Sequence, residues 1–537
     1  MKNRKTNRLK KQTWERLKKQ RKSPVQSRGL RYKEAGELKG SITVFLSLAC
    51  ILFLALICAV TESARVQGAK AQSANITGMG TFSLLSEFET KLLEKYEIFA
   101  LDGASGGSFQ IQTVNSRFEE FISQNVNPKD GLLKSLAFDP WNLEVESTEI
   151  TGYALLTDNK GEAFYQQAVS YMKSNIGVIA LEELLNLANS VDEIEEKQDA
   201  YEEDQNNSNE QLSDLEDEKQ ERLIELESEM PESLEESAAL AETTGNPLTE
   251  IAKLQKKSTL EIVTWDKTVS AKSVTRSSLP SKSSLRKGSL TIESEHSGLI
   301  SNVLFREYLV RYFENYLSES SEADLNYHLE YILGGKLSDE KNLQYVVNRL
   351  LLIREGMNYA FCTGSTSMNT QAGTLATALT GFLGIPALTA ATKHAILLAW
   401  AYGESLVDVR ILLDGGKVPL KKNESSWSLT LENLGRVTEV LQEGAKGKEE
   451  GLSYQDYLRI LLNMGSLQNQ KMRALDLVQM LMSREDGMSN FQVQNCIVAV
   501  ATRVTYRCAP VFLGLPEAVM GLTGADATFT QTASMAY

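Results

Sequence analysis

Three histidines, five cysteines and one Gly-x-Ser-x-Gly pentapeptide are the groups in this 537-residue chain best suited to chemistry. His296, His328 and His394 stand more than thirty residues apart, so no HExxH or paired-histidine metal spacing exists. Cys50 and Cys58 fall in an apolar run, and Cys362, Cys496 and Cys508 form neither a CxxC pair nor a disulfide framework. Gly334-Gly335-Lys336 and Gly415-Gly416-Lys417 follow apolar segments and read as turns, not phosphate cradles. The pentapeptide Gly103–Gly107 makes Ser105 the one candidate nucleophile. A nucleophile elbow requires a helix directly after its serine, whereas FQIQTV at 109–114 alternates like a strand. Strand-turn-strand is therefore expected, with Ser105 as a turn residue. Twenty acids lie between Asp192 and Glu236, but they crowd along one segment instead of facing each other across a cleft, and EF-hand spacing is absent. No catalytic residue, metal or cofactor is assigned, and the expectation is a protein that is not an enzyme.

The strongest physical signal lies elsewhere. From Ile42 to Val60 nineteen residues carry no charge, and as a helix they would reach about 28 Å, close to the thickness of a bilayer's hydrocarbon. A cleaved signal peptide competes with this reading, but its apolar stretch is shorter and its basic region is rarely forty residues long. Residues 1–40 hold fifteen Lys/Arg against three acids in a chain of net charge −14. The positive-inside rule then places the tail in the cytoplasm and everything beyond Glu62 outside. The tail could also grip anionic headgroups. Topogenic charge is the simpler account, and no nucleic-acid partner is expected. Glu62 ends the apolar run, where it could pair with Arg65 one turn on and mark the membrane boundary. Its functional version is a carboxylate that sets helix depth or pairs with a partner helix during assembly.

The elements around these residues predict an α+β protein. The transmembrane helix, 41–62, continues as a stalk helix over 63–95. YEIFALDG reads as a short strand, Asn115 to Asn125 as an amphipathic helix and Asn142 to Leu156 as a strand, within an N-terminal ectodomain part over 96–190. The acidic segment, 191–245, carries a narrow apolar seam through Leu212, Leu215 and Leu223. With a turn at the NNSN of 206–209 it predicts an antiparallel helical hairpin, the alternative being an acidic linker. A Ser/Thr/Lys/Arg-rich stretch makes 246–295 a linker with a short strand, and 296–537 is the C-terminal α+β part. FQVQNCIVAVATRVTYRC alternates as a strand, which as one piece would hold Cys496 and Cys508 about 40 Å apart. Thr374 to Thr392 is a second charge-free run, but Gly384-Ile385-Pro386 and the lack of a basic flank favour two buried helices broken there.

Two resemblances follow from quoted residues. KGSITVFLSLACILFLALICAVTESARVQGAKAQSANITG resembles the N-terminus of TadE/TadG-type Flp pilus-assembly proteins, which are pseudopilin-like. YEIFALDG, YHLEYILGG, VVNRLLLIREGMNYAF, LLAWAYGESLVDVRILLDGGKVPL and GLSYQDYLRILL resemble a domain-of-unknown-function family, number 5702, of Gram-positive membrane proteins. The resemblances imply a single-anchor cell-membrane protein associated with a Tad-like pilus or secretion system. Its partners would be the lipid bilayer and pilus or secretion-system membrane proteins, met through the transmembrane helix and the acidic hairpin. In prepilins a peptidase cuts after a Gly preceding the apolar helix and a Glu follows five residues in. Here Gly40-Ser41 is suitably placed, but the fifth residue is Phe45, which points to an uncleaved anchor. The expected function is a structural or assembly component. A membrane-tethered envelope hydrolase using Ser105, or an extracellular binding or sensor protein, is the alternative.

Overall fold

The computed structural model describes residues 39–104, 106–126, 141–229, 247–318, 323–443, 450–512 and 526–537. They are mostly helical with one small antiparallel sheet. By its contacts the chain divides into two units, residues 1–67 with 510–525, and residues 68–509 with 526–537.

One helix, α1 (Lys39–Ser86), runs unbroken for 48 residues. The continuation of the apolar helix outward was expected, but its distal part is not a bare stalk. Ser73, Thr77 and Thr81 recur every four residues and so share a face, and all three are buried. Thr77 Oγ1 donates to the Ser73 carbonyl at 2.9 Å, which leaves it to accept from the Tyr506 hydroxyl at 2.9 Å. Thr81 Oγ1 meets Thr502 Oγ1 at 2.8 Å, and Gln531 Nε2 donates to Ser73 Oγ at 3.0 Å. Two glycines of α1 also mark close approaches: an added Cβ would run into the Trp141 ring at Gly68 and lie 2.5 Å from Ile122 at Gly80.

Those hydroxyls key the helix into a sheet centred on the last long strand. In chain order the strands are β1 (Leu101–Asp102), β2 (Leu143–Leu155), β3 (Cys496–Cys508) and β4 (Ala527–Ala536). β3 pairs antiparallel with β2 from Leu143↔Cys508 to Leu155↔Ile497. Its other edge takes β1 at Leu101↔Ile497 and then β4, from Ala536↔Ala499 to Ala527↔Cys508. β2 and β3 fall where the alternation placed them. β3 thus lies between β2 on one edge and β1 and β4 on the other, so strands from both ends of the chain contribute to one sheet.

The alternation of FQIQTV is also overridden. Ile111–Val126 is a helix, α2, burying Val114, Phe118 and Ile122 at four-residue spacing, so the segment after the pentapeptide is helical and not a strand. Beyond β2 come α3 (Asp158–Asn175), α4 (Val178–Asp214) and α5 (Glu216–Glu229). Residues 206–209, expected to turn, lie inside α4, and the only interruption is Leu215. Within the described residues the acidic segment does not turn back at 206–209, and Leu212, Leu215 and Leu223 pack on Leu383, Ile385 and Leu388; residues 230–245 of the expected hairpin lie outside the described residues. Later core helices include α6 (Leu299–Tyr312), α7 (His328–Gly334), α8 (Asp339–Gly364), α9 (Thr366–Thr380), α10 (Pro386–Leu413), α11 (Tyr454–Met464) and α12 (Leu467–Met482), besides the short helices Pro247–Gln255, Thr259–Val263 and Val437–Glu443. α9 and α10 meet at the Gly384–Pro386 break, as expected, but they are only partly buried there: α9 buries only Met368, Ala372 and Ala376, and Phe382 is 40% exposed.

Candidate assembly site on the membrane-length helix

Among the described residues one helix is long and apolar enough to cross a membrane, the run from Ile42 within α1. Most of its side chains are exposed, Ile42 73%, Phe45 72% and Leu52 69%, while Cys58 is buried. Backbone groups are satisfied inside the helix, as hydrocarbon requires. The hydroxyls are satisfied too, Ser47 donating to the Val44 carbonyl at 2.9 Å and Thr61 to that of Ile57 at 2.8 Å. Gly40 and Ser41 stand in the first turn of α1, and Val60 is the last apolar residue before the polar boundary.

At that boundary Glu62 and Arg65 are both buried, at 4% and 5% exposure. Arg65 Nε and Nη2 donate to Glu62 Oε1 at 3.0 and 2.5 Å. Glu62 Oε2 accepts the backbone N–H groups of Val511 and Phe512 at 3.2 and 2.8 Å. Sequence spacing showed the Arg65 half of this arrangement. The other half comes from residues some 450 positions away and had no signal, since the donors are main-chain groups. Both carboxylate oxygens are thereby engaged within the chain, and Glu62 is a closed joint between α1 and the segment that follows β3.

Ser105 lies outside the described residues. Around it, the Asp102 carboxylate accepts the N–H of Ala104 at 2.9 Å and of Gly106 at 3.1 Å. Those bonds stabilise a tight turn, and the following helix begins only at Ile111. His328 is buried, with its Nε2 3.0 Å from the Leu325 carbonyl. Among the described residues no group of three or more His, Cys, Asp or Glu side chains is placed to hold a metal ion. The five cysteines are free.

Sequence reasoning passed over the most concentrated set of charges in the core. Arg354 on α8 donates through Nε to Asp408 Oδ2 on α10 at 3.0 Å, and through Nη1 to Tyr457 at 3.0 Å and the Leu420 carbonyl at 2.9 Å. Lys422 Nζ lies 2.6 Å from Asp408 Oδ1 and also pairs with Glu404. Glu404 accepts from Ser428 N and Leu429 N at 2.9 and 2.7 Å. Asn358 bridges Asp408 and Ser405 at 2.9 and 3.0 Å. Burial would raise the Asp408 carboxyl, but Lys422 and Arg354 outweigh it and hold the group below its ordinary range. Two cations balance two carboxylates with no opening to a substrate, so the set fixes how α8, α10 and α11 pack. The available signal was Arg354/Asn358 and Glu404/Asp408, each four apart on its helix.

These features define a mostly helical chain with a small antiparallel sheet and, among the described residues, one membrane-length helix. It belongs to a family of unknown function, DUF5702, whose profile matches residues 237–508. That span holds α6 to α12 and β3, including the whole Arg354–Asp408–Lys422–Glu404 set. No curated protein and no solved structure matches the chain.

Proposed function

We propose that this protein is a membrane-anchored structural component that assembles with other proteins of a Tad-like pilus or secretion apparatus and performs no catalysis. The observation that carries the reading is α1, mostly exposed and apolar from Ile42 to Val60 and then, in the same unbroken helix, keyed into a sheet through Ser73, Thr77 and Thr81. A helix so joined transmits force or position between a bilayer and a folded domain. The TadE/TadG-like order of residues from Lys39 to Gly78 supports the same context. In this reading the basic tail is cytoplasmic, the larger unit is outside the cell, and Gly40-Ser41 stays uncut because Phe45 stands where prepilins carry Glu. Glu62, paired within its own chain, holds the end of the span at headgroup level, and the apolar surface of Ile42–Val60 is left for lateral contact with partner helices. The acidic α4 and α5 offer a second contact surface.

Co-isolation tests this. The detergent-solubilised full chain is expected to recover products of neighbouring pilus genes. Replacing residues 41–62 by an unrelated span of equal length should keep the protein in the membrane and abolish that recovery. Unchanged recovery would overturn lateral helix packing.

A further inference from the structure

A cleft of about 700 Å³ opens on the larger unit, between α3, the end of β4 and the irregular segment 290–296. Its volume lies in the range of ligand-binding clefts, about 300–1,000 Å³. Three carboxylates line it, Glu97, Glu293 and Glu295, and no Lys or Arg does. Arg311 is not part of the lining, but its guanidinium lies 5.8 Å from the centre of the Tyr171 ring. Aromatic surface accompanies the charge: Phe99 and Tyr537 stack at 5.7 Å, and Tyr171 forms part of the α3 wall. Carboxylates beside aromatic faces favour a cation twice over, by Coulomb attraction and by the ring quadrupole. Glu97 is held there with φ +54°, a left-handed conformation that disfavours side chains other than Gly or Asn.

The main chain narrows the occupant further. From Thr291 to Glu295 no backbone N–H or carbonyl is hydrogen-bonded within the described residues, and β4 pairs on one edge with β3 alone. Free main-chain groups beside an open strand edge suit an extended peptide, which binds through its backbone and is selected by its side chains. We propose that this cleft takes an extended, basic peptide segment of a partner protein, its Lys or Arg side chains set between Glu97, Glu293 and Glu295. The site is separate from the anchor and does not depend on the assembly reading.

The test uses the full chain in detergent micelles and a fluorescent peptide of alternating Lys and Ser, followed by anisotropy. Binding in the micromolar range is expected. The triple variant E97Q/E293Q/E295Q should weaken it at least tenfold with an unchanged Tm, and Tyr171→Ala at least threefold. Neutralising the exposed start of α5 in E216Q/D217N/E218Q should leave it within twofold. Equal weakening by the two triple variants would mean diffuse attraction to an acidic protein and overturn the site. Free lysine competing as well as the peptide would overturn the peptide as occupant.

Discussion

Among single residues, the buried ionic set makes the sharpest claim. A charge deprived of its partner inside a core costs several kcal/mol, whereas removing a whole pair costs much less. Arg354→Met, which leaves Asp408 and Lys422 without the guanidinium that ties α8 to α10, should cost about 3–5 kcal/mol in chemical unfolding. The double variant Arg354→Met/Asp408→Leu should lose clearly less than the two single losses added together; strict additivity would show that the residues are not coupled. Two other buried carboxyls make stability depend on pH. Burial raises Glu330 to about 7 against the pull of the Tyr454 hydroxyl and the Tyr316 N–H, and raises Glu355 to about 8. The folded chain keeps these protons to higher pH than the unfolded chain, whose carboxyls titrate near 4.5. Their contribution is therefore fully present below about pH 4.5 and is lost as pH rises through about 7 and 8. Glu355→Gln should leave Tm nearly unchanged at pH 5 and raise it relative to wild type at pH 9; parallel Tm profiles would refute the assignment.

At the scale of elements, α1 offers two glycines two residues apart, on opposite faces of the helix, with opposite expectations. An added Cβ at Gly78 meets nothing within 4 Å, while at Gly80 it meets Ile122 at 2.5 Å. Gly78→Ala should stabilise by about 0.5–1 kcal/mol, as a helical glycine replaced without a clash does. Gly80→Leu should cost about 1–3 kcal/mol by overpacking against α2. If both were neutral in chemical unfolding, the distal part of α1 would not be packed on the domain in solution. Elements of this kind differ in how openly the sequence shows them. β2 and β3 were legible because Val, Ile and Tyr alternate strongly, and the break at Gly384-Ile385-Pro386 because proline starts a helix and cannot continue one. FQIQTV misled because Phe109, Ile111 and Thr113 alternate with Gln110 and Gln112, whereas the helical run Val114, Phe118, Ile122 governs burial. The NNSN turn failed for a tertiary reason: Ser208 is buried, so packing holds α4 helical through residues of weak propensity. β4 gave no signal, because Thr, Ser and Ala alternate without large apolar side chains and only pairing with β3 makes them a strand. The assembly site was half legible, since Glu62 and Arg65 are near neighbours in sequence while Val511 and Phe512 contribute only main-chain N–H groups.

For the whole molecule, charge predicts an orientation. The first forty residues carry a net +12 and the remainder therefore −26, an imbalance from which the positive-inside rule predicts a cytoplasmic tail. Single cysteines can report this, because the native Cys362, Cys496 and Cys508 are buried and only Cys50 is exposed. In a Cys50→Ser background, Thr6→Cys marks the tail and Ser277→Cys marks an exposed turn of the larger unit. A membrane-impermeant maleimide applied to intact cells should label the Ser277→Cys protein at once and the Thr6→Cys protein only after permeabilisation. The reverse pattern would put the acidic helices and the cleft in the cytoplasm, and with them any extracellular assembly role would fall. Labelling of both without permeabilisation would mean that Ile42–Val60 does not cross the bilayer, in which case the apolar surface of α1 would have to be covered by protein and not by lipid.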